Sequence, residues 1–293
     1  MNSFFDHIIH NRYTAKLANK YYESKLKNLK SFIFIATTGR SGTLTLVDIF
    51  NQLDQCIALH EPYPAMHDNI LNAAANGDHQ LVKNFYNIRK SVNIRRSAVG
   101  AEHYLEANHL FIKTFAPYAA KDFGSRLKVV HLVRDPTKVA NSIYALQDQP
   151  GTVEGNRWWL DYHAPTNIIS IPEILDNHEE FKHPYYKALW YWFETEARIS
   201  TWKKKLPKIP FIFFMTENFN DEAKLAELFE QLEIPIPSGF IRNVVSLKSH
   251  ARSHQKKLSP LPEETTSEML DRFINLLNEK NIAIPSTIKA YKG

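Results

Sequence analysis

The chain has 293 residues, of which 44% are hydrophobic, 23% charged and 12% aromatic, a composition that excludes wholesale disorder and supplies apolar mass for a substantial core. A formal charge of +5 suits an anionic ligand but comes without the clustered basic residues that nucleic-acid binding demands. Cys56 is the one cysteine, which excludes an internal disulfide and a cysteine-based zinc site. We read residues 1–293 as a single domain. Met1–His10 lacks the basic, then long apolar, then small-residue pattern of a secretory leader, and no run of about 18 apolar residues occurs anywhere. A soluble, cytoplasmic protein without a transmembrane segment is expected. Residues 12–30 are basic and aromatic, with Leu17, Tyr21, Leu26 and Leu29 roughly at a helical period, which predicts an N-terminal helical extension packed on the domain. A membrane-surface helix is the weaker reading, because that apolar face is narrow.

The run Phe32–Ala36 is β-branched and aromatic and stops abruptly at Thr37-Thr38-Gly39, as a buried parallel strand would. Further strands are predicted at Cys56–His60, Leu110–Thr114, Leu127–Val133 and Pro210–Met215. Helical patterns fall at about 43–53, 78–91, 117–124, 136–147, 184–204, 221–232 and 263–280. Strands alternating with helices imply an α/β fold, a P-loop NTPase-like parallel sheet flanked by helices. Residues 148–205 interrupt the alternation as an aromatic-rich insertion, irregular to 182 and then helical. In the helical part Trp190, Phe193 and Ala197 share a face and read as core. The pair Trp158-Trp159 reads as a platform for an acceptor. Residues 246–262 form a Ser-, His- and Lys-rich loop.

The segment Ile35 to Leu46 runs from strand through a glycine-containing turn to a helix, the context in which backbone N–H groups and the positive end of the helix dipole hold anionic oxygens. Gly39 and Gly42 allow the bend, Arg40 adds a permanent charge, and Ser41 and Thr43 add hydroxyls. No lysine follows Gly42, so this is not a Walker A loop. The strand Val129–Val133 ends in Arg134-Asp135-Pro136, where Asp135 and Pro136 suit the cap and first position of a helix. Ser142 lies about two turns beyond that cap and shares its face, so Arg134 and Ser142 can serve one phosphate together.

These residues resemble those of sulfotransferases that use 3′-phosphoadenosine 5′-phosphosulfate (PAPS). Thr38-Gly39-Arg40-Ser41-Gly42-Thr43 is similar to their 5′-phosphosulfate loop, and Arg134-Asp135-Pro136 with Ser142 to their 3′-phosphate motif. The resemblance implies that Gly39, Arg40, Ser41, Gly42, Thr43 and Leu44 hold the 5′ side of PAPS, and Arg134 and Ser142 its 3′-phosphate. It further implies that Thr216 stands near the adenine, that Arg252 belongs to a basic loop over the cofactor, and that no metal is needed. In Leu110–Pro117, Lys113 resembles a lysine of the cytosolic branch, with Phe115 where that branch carries its catalytic histidine.

An attacking acceptor must lose a proton, and Phe115 cannot take it. Glu61, in His60-Glu61-Pro62, resembles the base of the carbohydrate and bacterial branches. His60 is the runner-up and His103 a further alternative, while Arg40 and Lys113 would stabilise the leaving group. The implied reaction moves a sulfuryl group to a hydroxyl or amine of a small-molecule or carbohydrate acceptor, with no nucleic-acid partner and the oligomeric state open. A nucleotide-kinase-like phosphotransferase and a non-catalytic nucleotide-binding protein are the alternatives.

Overall fold

The computed structural model describes residues 11–245 and 257–292. At its centre are five parallel strands, β1 (Ser31–Ala36), β2 (Cys56–His60), β3 (His103–Ala107), β4 (Leu127–Val133) and β5 (Phe211–Met215), in the spatial order β2-β3-β1-β4-β5. Parallel strands require crossover connections, which place helices on both faces of the sheet. Every residue of β1 and β3 is accordingly buried. Alternation along β1 sends Phe32 and Phe34 into one apolar layer with Phe111, Phe115 and Phe123. Ile33 and Ile35 enter the opposite layer with Leu46, Phe50 and Phe229. The α/β expectation holds.

The 22-residue helix Pro184–Lys205 carries the densest aromatic segment, and Tyr185, Trp190, Trp192 and Phe193 are fully buried along it. They pack with Val139, Ile143 and Phe273 from the helices Pro136–Leu146 and Glu263–Glu279. Residues 148–182 hold only two short helices, Gly155–Trp158 and Pro172–Asn177, yet Leu160, Ile169 and Leu175 anchor the segment in the same layer. Among the described residues no helix is long and apolar enough to cross a membrane.

The third strand departs from the sequence reading. Leu110–Thr114 is not a strand: Phe111–Phe115 forms a π-helical turn, started by Asn108 Oδ1 accepting from Leu110 N at 2.9 Å. The strand is instead His103–Ala107, whose Glu106 disguises it. Glu106 is tolerated at full burial because Lys90 Nζ lies 2.6 Å away and Tyr104 and Asn108 donate to its two oxygens.

Candidate functional site

After β1 the chain turns through Thr37–Gly42 into the helix Thr43–Phe50. Three residues of that turn, Gly39, Arg40 and Gly42, have left-handed backbones at φ 85°, 57° and 75°. A side chain at Gly42 would begin 3.0 Å from Phe219 and 3.1 Å from Thr216, and one at Gly39 would begin 3.2 Å from Trp159. Both positions therefore require glycine on two counts.

The turn's carbonyls are drawn away from its mouth. Tyr191 Oη donates to Thr38 O at 2.7 Å, and the Thr38 and Ser41 hydroxyls donate to Gly39 O at 2.8 and 2.9 Å. Arg134 Nη1 donates to Arg40 O at 2.8 Å, and Thr216 Oγ1 to Ser41 O at 2.8 Å. No hydrogen bond among the described residues uses the N–H groups of Gly39, Arg40, Ser41, Gly42, Thr43 or Leu44. What the turn offers a ligand is a set of donors at a helix start, which is the chemistry of an anion cradle.

The end of β4 meets this cradle. Asp135 Oδ1 accepts from Thr137 N at 2.7 Å and Lys138 N at 3.1 Å, starting the helix Pro136–Leu146 in the orientation that carries Ser142 back toward the turn. Ser142 Oγ accepts from Arg40 Nε at 2.9 Å. Two motifs 102 positions apart are thus joined by one hydrogen bond. Burial weakens the hold of Arg40 on its proton and Arg134 adds to this, while the carboxylates of Asp148 and Glu61 oppose it.

β2 and β3 contribute the acid and base groups. Glu61 N donates to Ala107 O at 3.0 Å, extending the pairing of the two strands by one residue, and Glu61 then turns left-handed at φ 45°. A non-glycine residue held there is strained, a state that persists only where the surroundings enforce it. His60 Nε2 lies 3.0 Å from Thr43 Oγ1. Glu61 Oε1 lies 3.4 Å from Nε2 of the buried His109, whose Nδ1 is 3.0 Å from Lys113 Nζ. Lys113 also donates to Tyr191 Oη. The His109 ring thus bridges the two groups, with Nδ1 toward Lys113 and Nε2 toward Glu61. Burial holds His109 well below its ordinary pKa, and the charges of Lys113, His60 and His67 add to it. Burial also drives Lys113 well down, with Glu61 opposing and Arg198 adding.

The structure therefore gathers His60, Glu61, Gly39, Arg40, Ser41, Gly42, Thr43, Leu44, Arg134, Ser142 and Thr216 at the carboxyl ends of the strands, where open parallel sheets bind ligands. Lys113 sits behind the turn, tied to its Thr38 carbonyl through Tyr191. His103 does not join them. It pairs with Ser31 at the amino ends of β3 and β1, roughly 20 Å of strand away from the turn. Arg252 lies outside the described residues. Trp159 is no open platform: it is buried, with its ring on Gly39, His109 and Tyr191, whereas Trp158 packs on His67. Three residues escaped the sequence reading. His109 follows a strand hidden by its own glutamate, Tyr191 looks like any core aromatic, and Asp148 follows a helix end with no motif around it. Burial pushes Asp148 up to about 6 despite the nearby charge of Arg40.

The sulfotransferase-domain family matches residues 30–273. The chain belongs to that family. No curated protein matches it in sequence. Among solved structures, the sulfotransferase domain from the curacin biosynthetic pathway aligns with 88% of this chain and 99% of its own, at 12% identity and a TM-score of 0.46. A sulfotransferase from Alicyclobacillus acidocaldarius aligns over 83% of this chain and 91% of its own, at 15% identity and a TM-score of 0.44. A mouse sulfotransferase complexed with PAP aligns over 88% of each chain, at 11% identity and a TM-score of 0.44.

Proposed function

We propose that this sulfotransferase takes a sulfuryl group from PAPS and places it on a hydroxyl or amine acceptor, a small molecule or carbohydrate, releasing 3′,5′-ADP. The observation that carries the reading is the hydrogen bond from Arg40 to Ser142, which joins the ends of β1 and β4 while no described residue uses the loop's N–H groups. The cradle fits such a ligand because a left-handed turn, kept by two glycines packed against Trp159, Phe219 and Thr216, leads into a helix start whose N–H groups no described residue uses. Gly39 to Leu44 would hold the 5′ side, Arg134 and Ser142 the 3′-phosphate, and Thr216 and Arg252 the remainder of the nucleotide. The bound nucleotide supplies the sulfuryl group and its own phosphate as leaving group.

The chain's residues supply the rest. Arg40 presents fixed charge where negative charge grows, an electrostatic contribution that needs no metal ion. Glu61 accepts the acceptor's proton on a carboxylate oxygen, with His60 as the second candidate for that role. His109, its Nε2 3.4 Å from Glu61 Oε1, positions that carboxylate, and Lys113 supports both His109 and, through Tyr191, the loop.

Transfer of labelled sulfate from PAPS to a panel of oligosaccharides, phenols, lipids and peptides tests the reading, alongside thermal shifts with nucleotides. The expected result is turnover on at least one acceptor class and a larger Tm rise with 3′,5′-ADP than with ATP and magnesium. The reverse order of Tm shifts would assign a nucleotide-kinase-like activity, and a 3′,5′-ADP shift without turnover a non-catalytic binder.

A further inference from the structure

The N-terminal helix presents its apolar residues to solvent. Between positions 11 and 30 the sequence has six basic residues and one acidic residue, Glu23. The helix Arg12–Glu23 is capped by Asn11, whose side chain accepts from Tyr13 N and Thr14 N at 2.9 and 3.0 Å. Its inner face packs on the segment 86–97 through buried Ala15 and through Asn19, which donates to Ser91 Oγ at 3.1 Å. Glu23 also turns inward, 2.7 Å from Arg95 and bonded to Arg126. The helix's one negative charge is neutralised there.

The outer face has a different composition. Tyr13, Leu17 and Tyr21 are 84%, 69% and 58% exposed, three of the nine large apolar side chains that stand exposed among the described residues. Their spacing of four places them in one stripe along the helix. Arg12, Lys16 and Lys20, each one residue earlier, form an exposed basic stripe beside it, and exposed Lys25 and Lys27 continue the positive surface. The sequence expectation that Leu17 and Tyr21 turn inward is reversed, while Leu26 and Leu29 are buried as expected.

We propose that this face docks the protein on an anionic membrane surface. The occupant must be negatively charged, because five cations line the face and no carboxylate of the helix offsets them. A second copy of the chain would set two basic stripes against each other, which like-charge repulsion opposes. The apolar stripe distinguishes a lipid surface from a merely acidic one. Tyrosines carry an apolar ring and a polar tip and suit the headgroup level, and Leu17 between them reaches the acyl boundary. A helix lying flat, apolar stripe down and lysines reaching sideways to headgroups, matches the geometry of interfacial helices. This inference does not rest on the proposed reaction.

Vesicle co-sedimentation of the full-length chain tests it. The protein should bind phosphatidylcholine vesicles containing phosphatidylserine, bind pure phosphatidylcholine poorly, and release as salt is raised. Lys16→Glu with Lys20→Glu changes four charge units at roughly fivefold each and should weaken binding more than about 100-fold. Tyr13→Ser with Leu17→Ser should weaken it about 10-fold or more. Tyr13→Trp should show blue-shifted emission with phosphatidylserine vesicles only. All of these variants should retain the wild-type Tm shift with 3′,5′-ADP, since the helix packs on the segment 86–97 and its side chains bond none of the cradle residues. Equal binding to both vesicle types, no binding, or a wild-type affinity in the double glutamate variant would overturn the proposal. Tighter binding to an oligonucleotide or to polyglutamate than to phosphatidylserine vesicles at the same salt would overturn it in favour of another partner.

Discussion

The two ends of the parallel sheet treat charge in opposite ways. At the amino ends, charged groups meet partners of opposite sign: Lys30 reaches Glu102 at 2.7 Å, and Lys128 reaches Glu233. At the carboxyl ends, Arg40 donates to a serine hydroxyl and Arg134 to a carbonyl. A neutral partner fixes a guanidinium in place, and the charge of Arg40 is tempered only through space by the carboxylates of Asp148 and Glu61. Backbone strain does not follow the same division: Arg40 and Glu61, both left-handed without being glycine, stand at the carboxyl ends, but Glu233 at the amino end is left-handed at φ 58° as well. One end of the sheet is finished as structure, and the other is held ready for chemistry.

That contrast is broken most severely by removing the group that should react. Glu61→Gln keeps the size and much of the hydrogen bonding of the side chain, and the transfer rate should fall roughly 10²–10⁴-fold with nucleotide affinity intact. Steady-state kinetics beside His60→Asn decides the assignment, because a silent Glu61→Gln with an impaired His60→Asn would exchange the two roles. The next largest effect should appear in stability. Glu106 is buried in mid-sheet against Lys90, and Glu106→Ala leaves that ammonium unpaired, at a cost of about 3–5 kcal/mol in urea unfolding. A loss much below this would mean that charge in the sheet interior is as replaceable as charge at its amino end.

The contrast is sharpened by dissecting the ligand end. Arg134→Ala should cost about 1.5–3 kcal/mol in calorimetric binding of 3′,5′-ADP and spare 5′-AMP, whereas equal losses would detach Arg134 from the 3′-phosphate. The smallest expected effect belongs to Asp148. Burial raises its pKa from the ordinary 3.8 to about 6 in the folded protein. Its contribution to stability therefore falls as pH rises from about 4 to about 6, because the folded state holds the proton that the unfolded state has released. Above that range its negative charge offsets Arg40. Asp148→Asn should match wild type in 3′,5′-ADP affinity at pH 5 and exceed it by ~3–10-fold at pH 7. A ratio independent of pH would separate Asp148 from the cradle.

The sequence made legible whatever is written in contiguous residues. β1, β2, β4 and β5 are hydrophobic runs with sharp ends, and the glycine turn and the Arg134-Asp135-Pro136 corner each carry local conformational signatures. Pairing was not legible. That Arg40 bonds Ser142, or that His109 and Tyr191 support Glu61 and Thr38, depends on strand order, which no local pattern encodes. Glu106 hid its strand, since a carboxylate at full burial is readable only once Lys90 is known to face it. Leu110–Thr114 misled in the other direction, because a short apolar stretch such as Leu110-Phe111-Ile112 serves a buried helical turn as well as a strand.

The packing of Trp159 beneath the loop has a spectroscopic consequence. Its indole ring lies against Gly39 and His109 and 5.9 Å from the Lys113 ammonium, with Nε1 buried and unpartnered. Of the chain's five tryptophans, this one touches the glycine turn itself. Indole emission responds to nearby charge, so an anion settling on the loop registers in the protein's own fluorescence. A titration followed at the tryptophan band then reads cradle occupancy without a label, and Trp159→Phe identifies the reporter by erasing the signal.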